Sequence, residues 1–226
     1  MSIKERIDEV QHQLPDEVRL VVVSKFHSVD EIMEAYHAGI RDFGENHVQE
    51  LLSKVALLPN DIRWHFIGNL QRNKVKQLLP VAHMIQGVSS ERLYREIVTR
   101  ASMLSLCPDI LIEVHIGQEE TKDGFAAGEL MDYLRHFVSQ RDDHPHRRIR
   151  GLMGMASFTD DKEQVRREFK ELKALFEIAK KELFADDPYF DTLSMGMSSD
   201  WKIAVEEGST LVRIGSYIMG ERDYNK

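Results

Sequence analysis

An α/β fold, a single (β/α)8 TIM barrel with an extra N-terminal helix, is what this sequence predicts, on three observations. Strand-like and helix-like segments alternate along the whole chain. The first strand-like run, Arg19-Leu20-Val21-Val22-Val23-Ser24-Lys25, is apolar at consecutive positions, as strands covered on both faces are. The 226 residues, shared among eight units, give about 28 each, the length of a strand, a helix and two short connections. A doubly wound open sheet is the alternative reading of the same alternation.

In order, Ile3, Ile7, Val10 and Leu14 fall at helical spacing, and Pro15 stops that helix. The strand ending at Lys25 follows, and Ser28-Val29-Asp30-Glu31 has the capping-box form that opens the next helix. Val29, Ile32, Met33 and Tyr36 give that helix its apolar face, and Gly39 stands as its C-cap. Residues 40–44 read as the second strand, with a helix on Val48, Leu51, Leu52, Val55 and Leu58 behind it. Residues 62–68 read as the third strand, and a helix is expected from Leu70 to Leu79. Residues 84–88 form the fourth strand, and Ser89-Ser90 starts a helix facing inward through Leu93, Ile97, Val98 and Ala101. Residues 110–116 form the fifth strand, followed by a helix with Leu130, Leu134 and Phe137 inward. Residues 149–153 form the sixth strand, and Asp160 is expected to cap a long helix on Val165, Phe169, Leu172, Leu175, Ala179 and Leu183. Residues 192–195, a short helix over 200–207 and residues 210–214 complete the count.

Composition narrows the function. A hydrophobic share of 42% with 30% charged residues is that of a globular protein with ample core. The formal charge of −8 argues against a general nucleic-acid or anionic-membrane binder. The basic stretch 71–76 is too short to change that. One cysteine, Cys107, excludes an internal disulfide framework and has no partner set for metal or a triad. The amino terminus lacks a signal-peptide core and no apolar run reaches bilayer length, so a soluble cytoplasmic protein is expected. No linker or repeat interrupts residues 1–226, which reads as one domain.

In a barrel, the residues just after each strand line one mouth. Here they include Lys25, Gly44-Glu45-Asn46, His65 with Gly68-Asn69, Gln86-Gly87, 119–124, 153–155, 194–200 and 213–216. The loops after strands seven and eight are the recurrent phosphate site of this fold. Met197-Ser198-Ser199-Asp200 and Arg213-Ile214-Gly215-Ser216 supply small residues, hydroxyls, backbone N–H groups and a fixed cation there. A phosphate site across from a strand-end lysine suggests a phosphorylated aldehyde held as a Schiff base. Pyridoxal 5′-phosphate (PLP) meets that description, and so does a sugar phosphate in an aldolase.

Residues 64–74, Trp64-His65-Phe66-Ile67-Gly68-Asn69-Leu70-Gln71-Arg72-Asn73-Lys74, resemble a signature of the YggS/PROSC family of pyridoxal phosphate homeostasis proteins. So do 22–25, 43–50, 193–200 and 208–215, in the family's order along nearly the whole chain. The resemblance implies an alanine racemase N-terminal-like barrel that holds PLP on Lys25. It implies a phosphate cradle at Ser198, Ser199, Gly215 and Ser216, in the loop that also carries Met197. It implies Arg213 beside the pyridine nitrogen, and Asn46 and His65 lining the pocket. Lys122 matches a second mouth lysine that would accept or relay the aldehyde. The departures are Ser216 where many relatives have Thr, His115 where Asn is frequent and Met219 where Phe is. The function implied is intracellular vitamin B6 homeostasis, in which the protein buffers PLP and delivers it to apo-enzymes without being a catalyst; as a lone barrel it is expected to be a monomer. A PLP-dependent amino-acid racemase is the alternative, disfavoured because a chain ending ten residues after Ser216 leaves no room for the racemase's second domain. A Schiff-base aldolase is a third reading.

Each residue also has a plainer explanation. Lys25 alone is compatible with a solvated strand end, Ser198 and Ser199 with a helix cap, and His65 with a hydrogen-bonded core histidine. Lys122 could be only a loop lysine. His144-Pro145-His146 with Arg147-Arg148 reads as a solvated loop without a second ligand pair for a metal.

Overall fold

The structure, a computed structural model, describes residues 1–118, 123–140 and 148–220. Its strands are β1 (Arg19–Val23), β2 (Asp42–Glu45), β3 (Arg63–Phe66), β4 (Ala82–Val88), β5 (Asp109–His115), β6 (Phe125–Ala126), β7 (Arg148–Gly154), β8 (Thr192–Ser194) and β9 (Leu211–Ile214). All pairings are parallel, and β4–β5 together with β1–β9 close the ring. The barrel has eight strands; β6, two residues long, pairs with the end of β5 alone and stands outside the ring.

Helices connect the strands: α1 (Ile3–Gln13) precedes them, and α2 (Val29–His37), α3 (Val48–Val55), α4 (Val75–Leu78), α5 (Glu91–Met103), α6 (Ala127–Ser139), α7 (Lys162–Leu183), α8 (Trp201–Glu206) and α9 (Ser216–Met219) follow. Closure excludes the open-sheet alternative. The expected 70–79 helix is shorter than its apolar spacing suggested: a 3-10 turn at Arg72–Lys74 runs into α4, and Pro80 stops it. Asp161, not its neighbour Asp160, caps α7, accepting from the N–H groups of Glu163 and Gln164. Two adjacent aspartates are equivalent to a sequence reading. Gly39, at φ +100°, follows the C-cap residue Ala38.

Strands β1, β4, β5, β7 and β9 carry apolar residues on both faces because they serve two cores. Val22, Phe43, Ile110, Leu152 and Val212 face the helices, while Val21, Met84, Leu111, Met153 and Leu211 form a separate layer inside the barrel. His65 and Ser194 lie level with that layer, in register with Met84 and Leu211. Two residues further along each strand the same face returns, and there the apolar run gives way to Gln86, Glu113 and Arg213, all buried. Two residues back along their strands stand Arg19 and Asp109, and Arg19 feels the charges of Asp109 and of Asp42 at the start of β2. The interior thus has a largely apolar middle, interrupted by His65 and Ser194, with polar residues at both ends.

Helix α1 packs on α2 and α9. Arg6 Nε donates to the Ile218 carbonyl at 2.6 Å and Tyr217 Oη to Glu9 at 2.7 Å. The extra helix therefore braces the turn that follows Arg213. Among the described residues, no helix is long and apolar enough to cross a membrane.

Candidate functional site

At the carboxyl ends of the strands a pocket of about 320 Å³ is lined by Val23, Lys25, Asn46 and Ile67, by Met155 and Phe158, and by Met197, Ser198, Ser199, Arg213, Gly215 and Ser216. Its size falls at the low end for small-molecule sites, roughly 300–1,000 Å³. Eight of the residues singled out from the sequence meet here: Lys25, Asn46, Met197, Ser198, Ser199, Arg213, Gly215 and Ser216. Lys122 and the His144-Pro145-His146 stretch lie outside the described residues.

His65 is a correction. It is 1% exposed and does not line the pocket. Its register places it one pleat too deep, in the barrel's middle layer, with both ring nitrogens engaged: Nε2 is 2.9 Å from Asp42 Oδ1 and Nδ1 is 3.0 Å from Gln86 Nε2. Burial lowers its pKa below the ordinary histidine value, against the pull of Asp42.

Lys25 sits in a clamped turn. The preceding Ser24 donates through Oγ to Glu45 Oε1 at 2.6 Å, and its carbonyl accepts from Lys54 Nζ at 2.8 Å. The following Phe26 has φ +66°, the left-handed region that costs a non-glycine residue about 1 kcal/mol or more, and its N–H donates to Glu50 Oε1 at 2.6 Å. Lys54 Nζ bridges Glu45 and Glu50, at 2.7 Å each. Burial pushes Glu45 up to about 7, although Lys54 and Ser24 pull it down. A buried Lys54–Glu45 pair and Glu50 thus hold a left-handed residue in place beside the lysine.

Opposite it, the Ser198 hydroxyl oxygen accepts from the N–H groups of Gly215 (3.2 Å) and Tyr217 (3.4 Å). The Asp200 carboxylate accepts from Met197 N–H at 2.6 Å. Part of the donor set expected of these loops is thus satisfied internally, by the Ser198 hydroxyl and the Asp200 carboxylate. Gly68 is imposed by packing: a Cβ there would lie 2.3 Å from the Asn46 carbonyl oxygen. That approach lets the β3 loop sit on Asn46, whose side-chain Oδ1 is buried without a hydrogen-bond partner among the described residues. An unmet acceptor on a pocket wall is what a ligand donor would complete.

Arg213, 3% exposed, reaches the pocket from the barrel interior. Its Nη1 donates to the Ser194 carbonyl at 3.1 Å and to Ser194 Oγ, and its Nη2 to the Gly154 carbonyl at 3.1 Å. Burial lowers it to about 10, so it remains a cation at neutral pH. Glu113, on the same interior face, is pushed up to about 7 by burial and then by Asp123, while Arg213 opposes the shift. The sequence reading missed Glu113; the signal was one charged residue in the run Ile110-Leu111-Ile112-Glu113-Val114. It also missed Phe158, 97% exposed at the pocket rim, because a rim phenylalanine and a core one look alike in sequence.

The chain matches the family model described as alanine racemase, N-terminal domain, over residues 1–223. It is 38% identical to the pyridoxal phosphate homeostasis protein of Aquifex aeolicus, covering 91% of this chain and 88% of that one. With the human protein of the same name it shares 37% identity over all of this chain and 86% of that one. Its backbone superposes on PipY of Synechococcus elongatus with a TM-score of 0.90 without PLP and 0.86 with PLP bound. Those two structures are 33% and 32% identical to it, and each comparison covers 97% of this chain and 100% of the other. The chain therefore belongs to the alanine racemase N-terminal domain family and, by its full-length relatives, to the pyridoxal phosphate homeostasis proteins.

Proposed function

We propose that the pocket holds pyridoxal 5′-phosphate on Lys25 and that the protein serves PLP homeostasis, binding the cofactor reversibly and releasing it to apo-enzymes. One observation carries the reading: a single cavity brings together Lys25, the Ser198-Ser199 and Gly215-Ser216 loops and the buried cation of Arg213. The donor set suits the group. The amine of Lys25 bonds the aldehyde carbon, with loss of water. The two loops supply hydroxyl and N–H donors to the phosphate, the Ser198 hydroxyl giving up its place to a phosphate oxygen. A homologous PLP-bound structure, PipY, supports the assignment.

PLP supplies an electron sink when bound, and that sink is strongest with its ring nitrogen protonated. Arg213, cationic at neutral pH, disfavours a second positive charge beside it. That arrangement disfavours transamination and decarboxylation, and we read the protein as a carrier and not a catalyst, acting as a one-domain monomer in the cytoplasm.

The test is titration of purified protein with PLP. A visible absorption band that inorganic phosphate competes away supports the reading, and absence of amino-acid racemisation by the loaded protein supports the carrier role. No band, or turnover at enzymatic rates, contradicts the respective half.

A further inference from the structure

We propose that Asp42, at the amino-terminal mouth of the barrel, is a positioning residue for Arg213, acting through a one-directional chain of hydrogen bonds that runs through the barrel interior by His65, Gln86 and Ser194. The links are Arg213 Nη1 to Ser194 Oγ, Ser194 Oγ to Gln86 Oε1 at 2.7 Å, Gln86 Nε2 to His65 Nδ1 at 3.0 Å, and His65 Nε2 to Asp42 Oδ1 at 2.9 Å. His65, Gln86 and Ser194 are at most 1% exposed, so water does not take over their roles.

The ends dictate the direction. A guanidinium only donates and a carboxylate only accepts. Ser194 therefore accepts from Arg213 and passes its own proton to Gln86 Oε1. That fixes the Gln86 amide with Nε2 towards His65, whose Nδ1 must be a bare acceptor, so its proton sits on Nε2 and is donated to Asp42. Every bond points from the cation to the anion, and such aligned bonds polarise one another. Arg63 closes the far end, its Nε donating to Asp42 Oδ1 at 2.8 Å. Asp42, His65 and His83 have the mutual spacing of metal ligands. The Arg63 guanidinium, however, spans both Asp42 oxygens and puts a fixed cation where a metal ion would go. The carboxylate is better read as the terminus of the chain.

The consequence is that Arg213's orientation in the pocket depends on residues that do not line it. This part rests on the reading of the pocket as a PLP site; the chain itself does not.

Two measurements separate them. In unliganded, ¹⁵N-labelled wild-type protein at pH 7, long-range ¹H–¹⁵N correlations of His65 (assigned by loss in His65→Gln) are expected to show the neutral Nε2–H tautomer. A Nδ1–H tautomer or an imidazolium would overturn the chain, whatever the protein binds. PLP affinity and band position are then compared in wild type, His65→Phe and His65→Gln, with far-UV circular dichroism to verify folding. His65→Phe is expected to weaken PLP binding about ten-fold, the scale at which outer partners act on a bound group, and to move the band. His65→Gln, which keeps a donor and an acceptor, is expected to restore most of both. If a folded His65→Phe binds PLP like the wild type, or Gln and Phe fail alike, the coupling is wrong. Wild type without a band, but with the expected tautomer, would sink the PLP reading and leave the chain standing.

Discussion

The Nζ atom of Lys54 lies 2.8 Å from the carbonyl oxygen of Ser24, the residue immediately before Lys25. Lys54 is buried, and its other two partners are Glu45 and Glu50 at 2.7 Å. Removing one partner of a buried ion pair strands the other, a loss of about 3–5 kcal/mol. Lys54→Met is therefore expected to lower the unfolding free energy by that order and to slow Lys25 labelling by an aldehyde. Because Glu45 is the stranded group, adding Glu45→Gln should recover part of the stability, and a double-mutant cycle measures the coupling. Additive losses would mean the two side chains act independently.

Gly196 has φ +95°, and a Cβ there would lie 2.6 Å from Ala204 Cβ and 3.0 Å from Trp201 Cα. Gly196→Ala combines left-handed strain of about 1 kcal/mol with displacement of α8. Since residues 197–199 hang between Gly196 and α8, weaker binding of PLP and of inorganic phosphate is expected, measurable by calorimetry. Unchanged affinity would detach this loop from the anion.

Burial, and then Asp123, push the Glu113 carboxyl from its ordinary value near 4.5 up to about 7, with Arg213 opposing. The folded state keeps this proton over a range in which the unfolded chain has lost it. Its contribution to stability is full below about 4.5 and is lost as pH rises through about 7. Glu45, also raised to about 7, adds a decline of the same sign. Glu113→Gln should flatten the fall in unfolding free energy over that window by about 3 kcal/mol, from roughly 1.4 kcal/mol per unit. Chemical denaturation at several pH values checks it; parallel curves for the two proteins would place the proton elsewhere.

At the start of α2, Ser28 Oγ accepts from Glu31 N–H and Glu31 Oε2 accepts from Ser28 N–H at 2.7 Å. Partial burial works to raise Glu31, but the two Ser28 bonds and His27 hold it at about 2. The support this carboxylate gives is present above its unfolded value and fades as pH drops towards 2. Ser28→Ala should cost about 1 kcal/mol and leave PLP affinity unchanged. A loss of PLP affinity in Ser28→Ala would mean that any softening near Lys25 disturbs the site.

The barrel was legible because apolar runs such as 19–25 and 110–116 state that both faces are covered, and their ends fall at one mouth. Eight pocket residues were found by that logic and by motif resemblance together. His65 was misplaced because strand parity alone does not say how deep along the barrel axis a residue lies; that follows from register with Met84, a contact far along the chain. The Lys54–Glu45–Ser24 clamp was equally hidden, since a lysine on the apolar helix Val48–Val55 looks solvated until the fold buries it. The two-residue strand β6 carries too little pattern to be read at all.

The most direct test of the account is the visible spectrum of the purified protein with added PLP, for wild type and Lys25→Ala, before and after borohydride. The expected result is an imine band in wild type that reduction fixes to the protein, with Lys25 as the labelled residue by peptide mass, and no such band in Lys25→Ala. A band of equal strength in Lys25→Ala, or none in the wild type, would contradict the assignment of Lys25 as the anchor.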